Sequence, residues 1–145
     1  MAGNIRKLEP EDRSQWDQLW SGYQTYYEVD LSAEADELYR RLMNPDADGP
    51  YCLVYEEDGK LLGLTQYLFH QSTWSKEPRC YLHDLYTLPD HRGKRIGEKL
   101  IHAVEAAANA HGSSSVYWMT QDFNHTARKL YDRVGKLTPF IKYSL

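Results

Sequence analysis

At 145 residues the chain has the length of one domain with a sizeable core, and 1–145 reads as a single unit. Apolar and charged fractions of 41% and 26% exclude a fibrous or disordered protein, and no apolar run is long enough to span a membrane. The net charge of -4 argues against nucleic-acid binding and suits, weakly, a cationic partner such as an amine. Residues 4–8 form a short strand candidate. Pro10 with Glu11 and Asp12 then opens a helix to about residue 28, with Trp16, Leu19, Trp20, Tyr23, Tyr26 and Tyr27 on one face. Ser32 is suited to cap a second helix bearing Ala35, Leu38, Tyr39 and Leu42. Residues 51–55 and 61–69 read as strands joined by Asp58-Gly59, a strong hairpin signal. Cys52 and Cys80 fall inside strands without ligand-like spacing, and no leader precedes them. Two reduced, buried thiols in a soluble cytoplasmic protein are expected.

After a polar loop at 70–78, residues 81–88 make a strand that stops at Pro89. From Ile96 the apolar residues 96, 100, 103, 104, 107 and 108 take helical spacing. Between strand and helix lie Arg92, Gly93, Lys94, Arg95 and Gly97. A helix start turns free N–H groups and partial positive charge to such a turn, which suits a phosphate. His111-Gly112 closes that helix, and residues 115–120 form a further strand. Asn124 caps a helix carrying Ala127, Leu130, Tyr131 and Val134, Gly135 stops it, and residues 137–145 read as a last strand. The order is β-α-α-β-β-β-α-β-α-β. It predicts an α/β (α+β) protein with a mixed, mostly antiparallel sheet and helices on both faces.

Arg92-Gly93-Lys94-Arg95-Ile96-Gly97 resembles the acetyl-CoA motif of the GNAT superfamily of N-acetyltransferases, Gln/Arg-x-x-Gly-x-Gly/Ala. Arg95 stands where the middle glycine belongs. The run Asn124 to Tyr131 is similar to the family's second signature, an Asn at a helix start and a Tyr two turns later. Together with the Trp-rich first helix it looks closest to the small histone- and polyamine-acetylating branch. The resemblance implies the GNAT fold across nearly the whole chain and an acetyl-CoA-dependent N-acetyltransferase. Its acceptor would be a primary amine: a polyamine, an amino acid or a lysine side chain. The family usually ends in two strands and this chain has room for one, so a homodimer with the C-terminal strand at the interface is expected. The alternative is an acyl-CoA-binding or protein-interaction module without catalysis.

By the same resemblance, the main chain of Leu85, Tyr86 and Thr87 and the side chain of Asn124 would hold the pantetheine arm. The turn 92–97, Ile96 included, would hold the pyrophosphate. Direct transfer needs a neutral amine, and stripping a lysine-like ammonium at pH 7 costs about 4.6 kcal/mol. His83 occupies the place of the branch's proposed base, and its imidazole titrates near neutrality. The plainer reading is a histidine bonded within the sheet. Strand alternation puts His83 and Asp84 on opposite faces, leaving Asp84 as an anchor for a cation or a partner for arginine. Tyr131 is the family's candidate acid, or a core tyrosine. Tyr23, Tyr26, Tyr27, Glu28 and Asp30, with the loop 70–78, would line the acceptor side, the plainer reading being core tyrosines followed by solvated acids. His70, His91, His102, His111 and His125 lack metal spacing, and no metal is expected.

Overall fold

A computed structural model describes residues 3–145. Strand β1 (Asn4–Lys7) leads through a 3-10 turn at Pro10–Asp12 into α1 (Arg13–Tyr27), and a second 3-10 turn, Ser32–Glu34, leads into α2 (Ala35–Met43). Strands β2 (Tyr51–Glu57), β3 (Lys60–His70) and β4 (Arg79–Thr87) follow. A third 3-10 turn, Pro89–His91, precedes α3 (Ile96–Ala110), then β5 (Val116–Tyr117) and α4 (His125–Val134). The sheet order is β1-β2-β3-β4-β5, antiparallel except for β4 with β5, where α3 makes the crossover.

One sheet face packs under α1 and α2. Trp16, Leu19 and Trp20 from α1 meet Tyr39 and Leu42 from α2 over Val54, Leu64 and Tyr86. The opposite face packs under α3, with Ile101, Val104 and Ala108 over Tyr67, Phe69, Cys80 and Leu82; Leu130, Tyr131 and Val134 of α4 close its rim. Glycine permits two close approaches. A Cβ on Gly22 of α1 would lie 2.3 Å from the Tyr86 hydroxyl, and one on Gly63 would lie 3.0 Å from Ile96, where α3 begins. The start of α3 is thereby seated directly on β3.

Three expectations are corrected. Residues 137–145 form no strand, because β5 is two residues long and offers no ladder to extend. Leu137, Phe140, Ile141 and Tyr143 stand exposed there. The expected strand 115–120 shrinks to that same pair of residues. Ser32 does not cap α2 by its side chain; its hydroxyl bonds Asp30 at 2.6 Å, and a 3-10 turn intervenes. Among the described residues no helix is long and apolar enough to cross a membrane.

Candidate active site

The centre of the site is an irregularity in β4. Gln66 pairs with Asp84 while Tyr67 pairs with Leu82, so His83 is one residue too many for its partner strand, a β-bulge. The bulge breaks the alternation that would separate His83 from Asp84. Their side chains meet instead, with His83 Nδ1 2.9 Å from Asp84 Oδ1. The imidazole side chain is 55% exposed and the carboxylate 7%, so one reaches the cleft while the other anchors it. The Asp84 hydrogen bond raises His83 above its ordinary value; desolvation and Lys142 of the C-terminal tail oppose the rise.

Asp84 is itself held from below. Gln66 Nε2 donates to Asp84 Oδ2 at 2.8 Å, and Trp16 Nε1 donates to Gln66 Oε1 at 3.0 Å, both bonds buried. Tyr23 and Tyr27 of α1 flank the carboxylate. Burial raises both phenols; Asp84 adds to each, and for Tyr27 the neighbouring Tyr26 contributes more than Asp84. Gln66 and Trp16 were not anticipated here. The available signal was an amide inside the apolar run 61–69, since a buried amide requires partners.

Beside the bulge the sheet opens. The pairing of β4 with β5 covers only Cys80 with Val116 and Tyr81 with Tyr117. The Leu88 amide donates back to Leu62 of β3, so by alternation Leu85 and Thr87 turn their backbone groups to the open edge, while the Tyr86 ring packs in the core. At the end of that edge, Lys99 N–H bonds Arg95 C=O as an opening bond of α3, leaving the amides of Ile96, Gly97 and Glu98 without intrahelical partners. Gly93 has φ +88°. Arg95 is also left-handed at φ +60°, and its guanidinium lies 3.4 Å from Glu98, folded back on α3 rather than across the turn. Lys94 Nζ lies 2.9 Å from His91 Nδ1. Arg92 Nε donates to the Thr87 carbonyl at 3.2 Å, and its guanidinium stands over the Tyr26 and Tyr86 rings. Gly97 lets α4 approach: a Cβ there would lie 3.3 Å from Leu130.

Asn124 caps α4, accepting from the Ala127 amide at 3.4 Å. Its oxygen also accepts from the Tyr26 hydroxyl at 2.8 Å, and its Nδ2 donates to Thr120 Oγ1 at 3.3 Å. Tyr26, expected on the acceptor side, thus bridges Asn124 and Arg92. Tyr131 packs edge-on to Trp118, and burial pushes its phenol up to about 12, with Tyr27 and Tyr26 adding to the rise. Tyr27 therefore lies close to both Asp84 and Tyr131 and joins the two halves of the site. Glu28 ends α1 in the left-handed conformation and is exposed. The loop 70–78 borders a cavity of about 410 Å³ whose walls include His70, Trp74, Arg79 and Phe140. No acidic side chain lines it. Among the described residues no group of His, Cys, Asp and Glu could hold a metal ion.

Residues 16–135 match the acetyltransferase (GNAT) family. The chain belongs to the GNAT acetyltransferase family. It is 33% identical over 141 residues to the D-amino-acid N-acetyltransferase HPA3 of Saccharomyces cerevisiae, covering 96% of this chain and 88% of the relative. It is 37% identical over 75 residues to the thialysine N-epsilon-acetyltransferase of Bos taurus, covering 52% of this chain and 44% of that one. In fold it is similar to the ribosomal-protein-alanine N-acetyltransferase of Brucella melitensis biovar Abortus 2308, with a TM-score of 0.83, 21% identity and 99% of each chain covered. It also resembles a CoA complex of an aminoglycoside N-acetyltransferase, with a TM-score of 0.75, 18% identity and 98% of each chain covered. This GNAT protein is an acetyl-CoA-dependent acyltransferase that acts on an amine, and its fold is the one expected. The open β4 edge and the free amides at the start of α3 suit the arm and phosphates of that co-substrate.

Proposed function

We propose that 1–145 works as one catalytic domain that acetylates the primary amine of a small acceptor also bearing an anionic group, a free amino acid being the simplest case. The observation that carries this reading is the imidazole of His83, held by Asp84 at the point where β4 loses its β5 partner. Acetyl-CoA supplies the activated acetyl group as a thioester. The backbone of Leu85 and Thr87 holds its arm, the Tyr86 backbone being turned to β3 instead, and the amides of Gly93 to Gly97, with Lys94, hold its phosphates. Arg92 buttresses that turn through Thr87. Asn124 reaches the arm once Tyr26 releases it.

His83 Nε2 takes one proton from the acceptor ammonium. The amine nitrogen then attacks the acyl carbon directly in a ternary complex; the C–N bond forms as the C–S bond breaks, and the second amine proton ends on the sulfur. A phenol raised to about 12 is a poor proton donor to a thiolate, so Tyr131 serves by hydrogen-bonding the sulfur as charge develops. Tyr27 lines the acceptor cleft, and Asp84 acts through His83. Support for an anionic acceptor comes from the acid-free cavity beside Arg79 and from the yeast relative that acetylates D-amino acids.

Two copies associate through the tail 137–145, whose apolar Leu137, Phe140, Ile141 and Tyr143 stand exposed. The free, buried Cys52 and Cys80, their thiols raised by burial, suit a reducing cytoplasm.

The test is acetyl-CoA consumption against a panel of amines, with mass spectrometry of the products. Amino acids should exceed spermidine in kcat/KM; the opposite ranking sinks the acceptor reading. Because Asp84 raises His83, kcat/KM should climb with pH through a midpoint above about 6.5, as the base sheds its proton. His83→Gln should lower kcat by roughly 100-fold or more and erase that limb. An unchanged profile removes His83 as the base.

A further inference from the structure

The hydrogen-bond chain beneath His83 has a direction, and that direction is set at its far end. An indole nitrogen only donates. The Gln66 atom 3.0 Å from Trp16 Nε1 must therefore be the amide oxygen, which turns the amide nitrogen to Asp84 Oδ2 at 2.8 Å. An amide N–H donates, so the carboxylate accepts there, and as an anion it accepts again at Oδ1. The Tyr23 phenol also hydrogen-bonds the carboxylate, as a donor, and His83 Nδ1 at 2.9 Å faces the same acceptor and must bring its own proton. The other tautomer would set two lone pairs against each other at that distance. Trp16, Gln66 and Asp84 are 0%, 3% and 6% exposed, so water does not enter to exchange donor and acceptor roles.

We propose that Trp16 and Gln66 are positioning residues that hold the Asp84 carboxylate against His83 and so keep the imidazole proton on Nδ1 and its lone pair on Nε2 in the cleft. The inference deepens the acetyl-transfer reading and rests on it for its effect on rate. The tautomer itself does not depend on catalysis. Other groups face the cluster: Lys142 from the tail, Tyr23 and Tyr27 from α1, Tyr81 within β4 and Cys52 from β2. These tune the proton affinity of the pair, but none is a link in the line from indole to imidazole.

The experiment is a long-range proton–nitrogen NMR spectrum of histidine-labelled protein at pH 8.5, with His83 assigned by its loss in His83→Gln. The parent should show His83 protonated at Nδ1 and bare at Nε2. In Trp16→Phe both tautomers should appear, the titration midpoint should fall, and kcat should drop roughly 10-fold with KM for acetyl-CoA unchanged. Gln66→Met makes the same test at the next link and replaces Trp16→Phe if loss of that core indole prevents folding. A parent spectrum with the proton on Nε2 overturns the proposal, as does a tautomer unmoved in the folded variants. If His83→Gln keeps full activity while the tautomer follows the chain, the base assignment fails and the positioning stands.

Discussion

Arg95 carries a cost that glycine would not. It adopts φ +60° and ψ +26° immediately before α3, in a region worth about 1–2 kcal/mol against an ordinary side chain. Its guanidinium, 68% exposed, contacts Glu98, which Arg133 of α4 also binds, so the pair with Arg95 contributes little of its own. Glycine would remove the clash and add roughly 0.5–1 kcal/mol of unfolded-state entropy cost. Arg95→Gly is therefore expected to stabilise the protein by about 0.5–1 kcal/mol in urea and to leave acetyl-CoA affinity within a few-fold by calorimetry. A tenfold loss of affinity would mean that the side chain reaches the phosphates after all. The glycine-rich turn was legible as a pattern of letters, and so was the departure at Arg95. Where the arginine goes was not, because Glu98 recruits it only once α3 has formed. His83 and Asp84 show the same limit. Their residue types announced proton chemistry, but their meeting depends on how β3 registers against β4, which neither strand encodes alone.

Among the elements, the first strand and the first helix are joined by charge. Arg6 donates to both oxygens of Asp12, at 2.8 and 3.0 Å, and to Glu56 of β2 at 3.0 Å. Asp12 also accepts from the Glu9 amide at 2.8 Å, closing the turn that starts α1. The Arg6 hydrogen bond holds the Asp12 carboxyl below its usual range, although burial works the other way. A depressed carboxylate stabilises the fold above its unfolded value near 3.9, and that share is lost as pH falls through the lower, folded value. Asp12→Asn is expected to cost about 2–3 kcal/mol at pH 7, read from urea melts, with the deficit shrinking toward pH 2–3. A pH-independent deficit would point to packing alone. Helices and long strands were readable from apolar spacing, since Trp16, Leu19 and Trp20 or Ile96, Leu100 and Val104 each mark one buried stripe. The Arg6–Asp12–Glu56 cluster was not, because its three members are brought together from separate elements.

At the scale of the whole molecule, the open question for the sheet is its C-terminal side. Residues 137–145 read as a last strand in the sequence, yet the side chains of Ile141, Tyr143 and Leu145 stand in solvent. Local pattern supplies a strand's faces but not its neighbour, and β5, paired over two residues, gives the tail no ladder to join. Removing 137–145 should turn a dimer into a monomer in light scattering. A 1–145 chain that is monomeric at about micromolar concentration would end the dimer reading. The extra residue in β4 has one more effect. Leu82 and Tyr86 share parity along the strand yet belong to separate cores, one beneath α3 and the other beneath α1. Excising His83 between them would restore plain alternation, since side chains an odd number of places apart already face opposite ways, and each core would keep its residues. The imidazole therefore rides on a residue that the ladder itself can spare, so deleting His83 should leave the sheet folded and remove only the base.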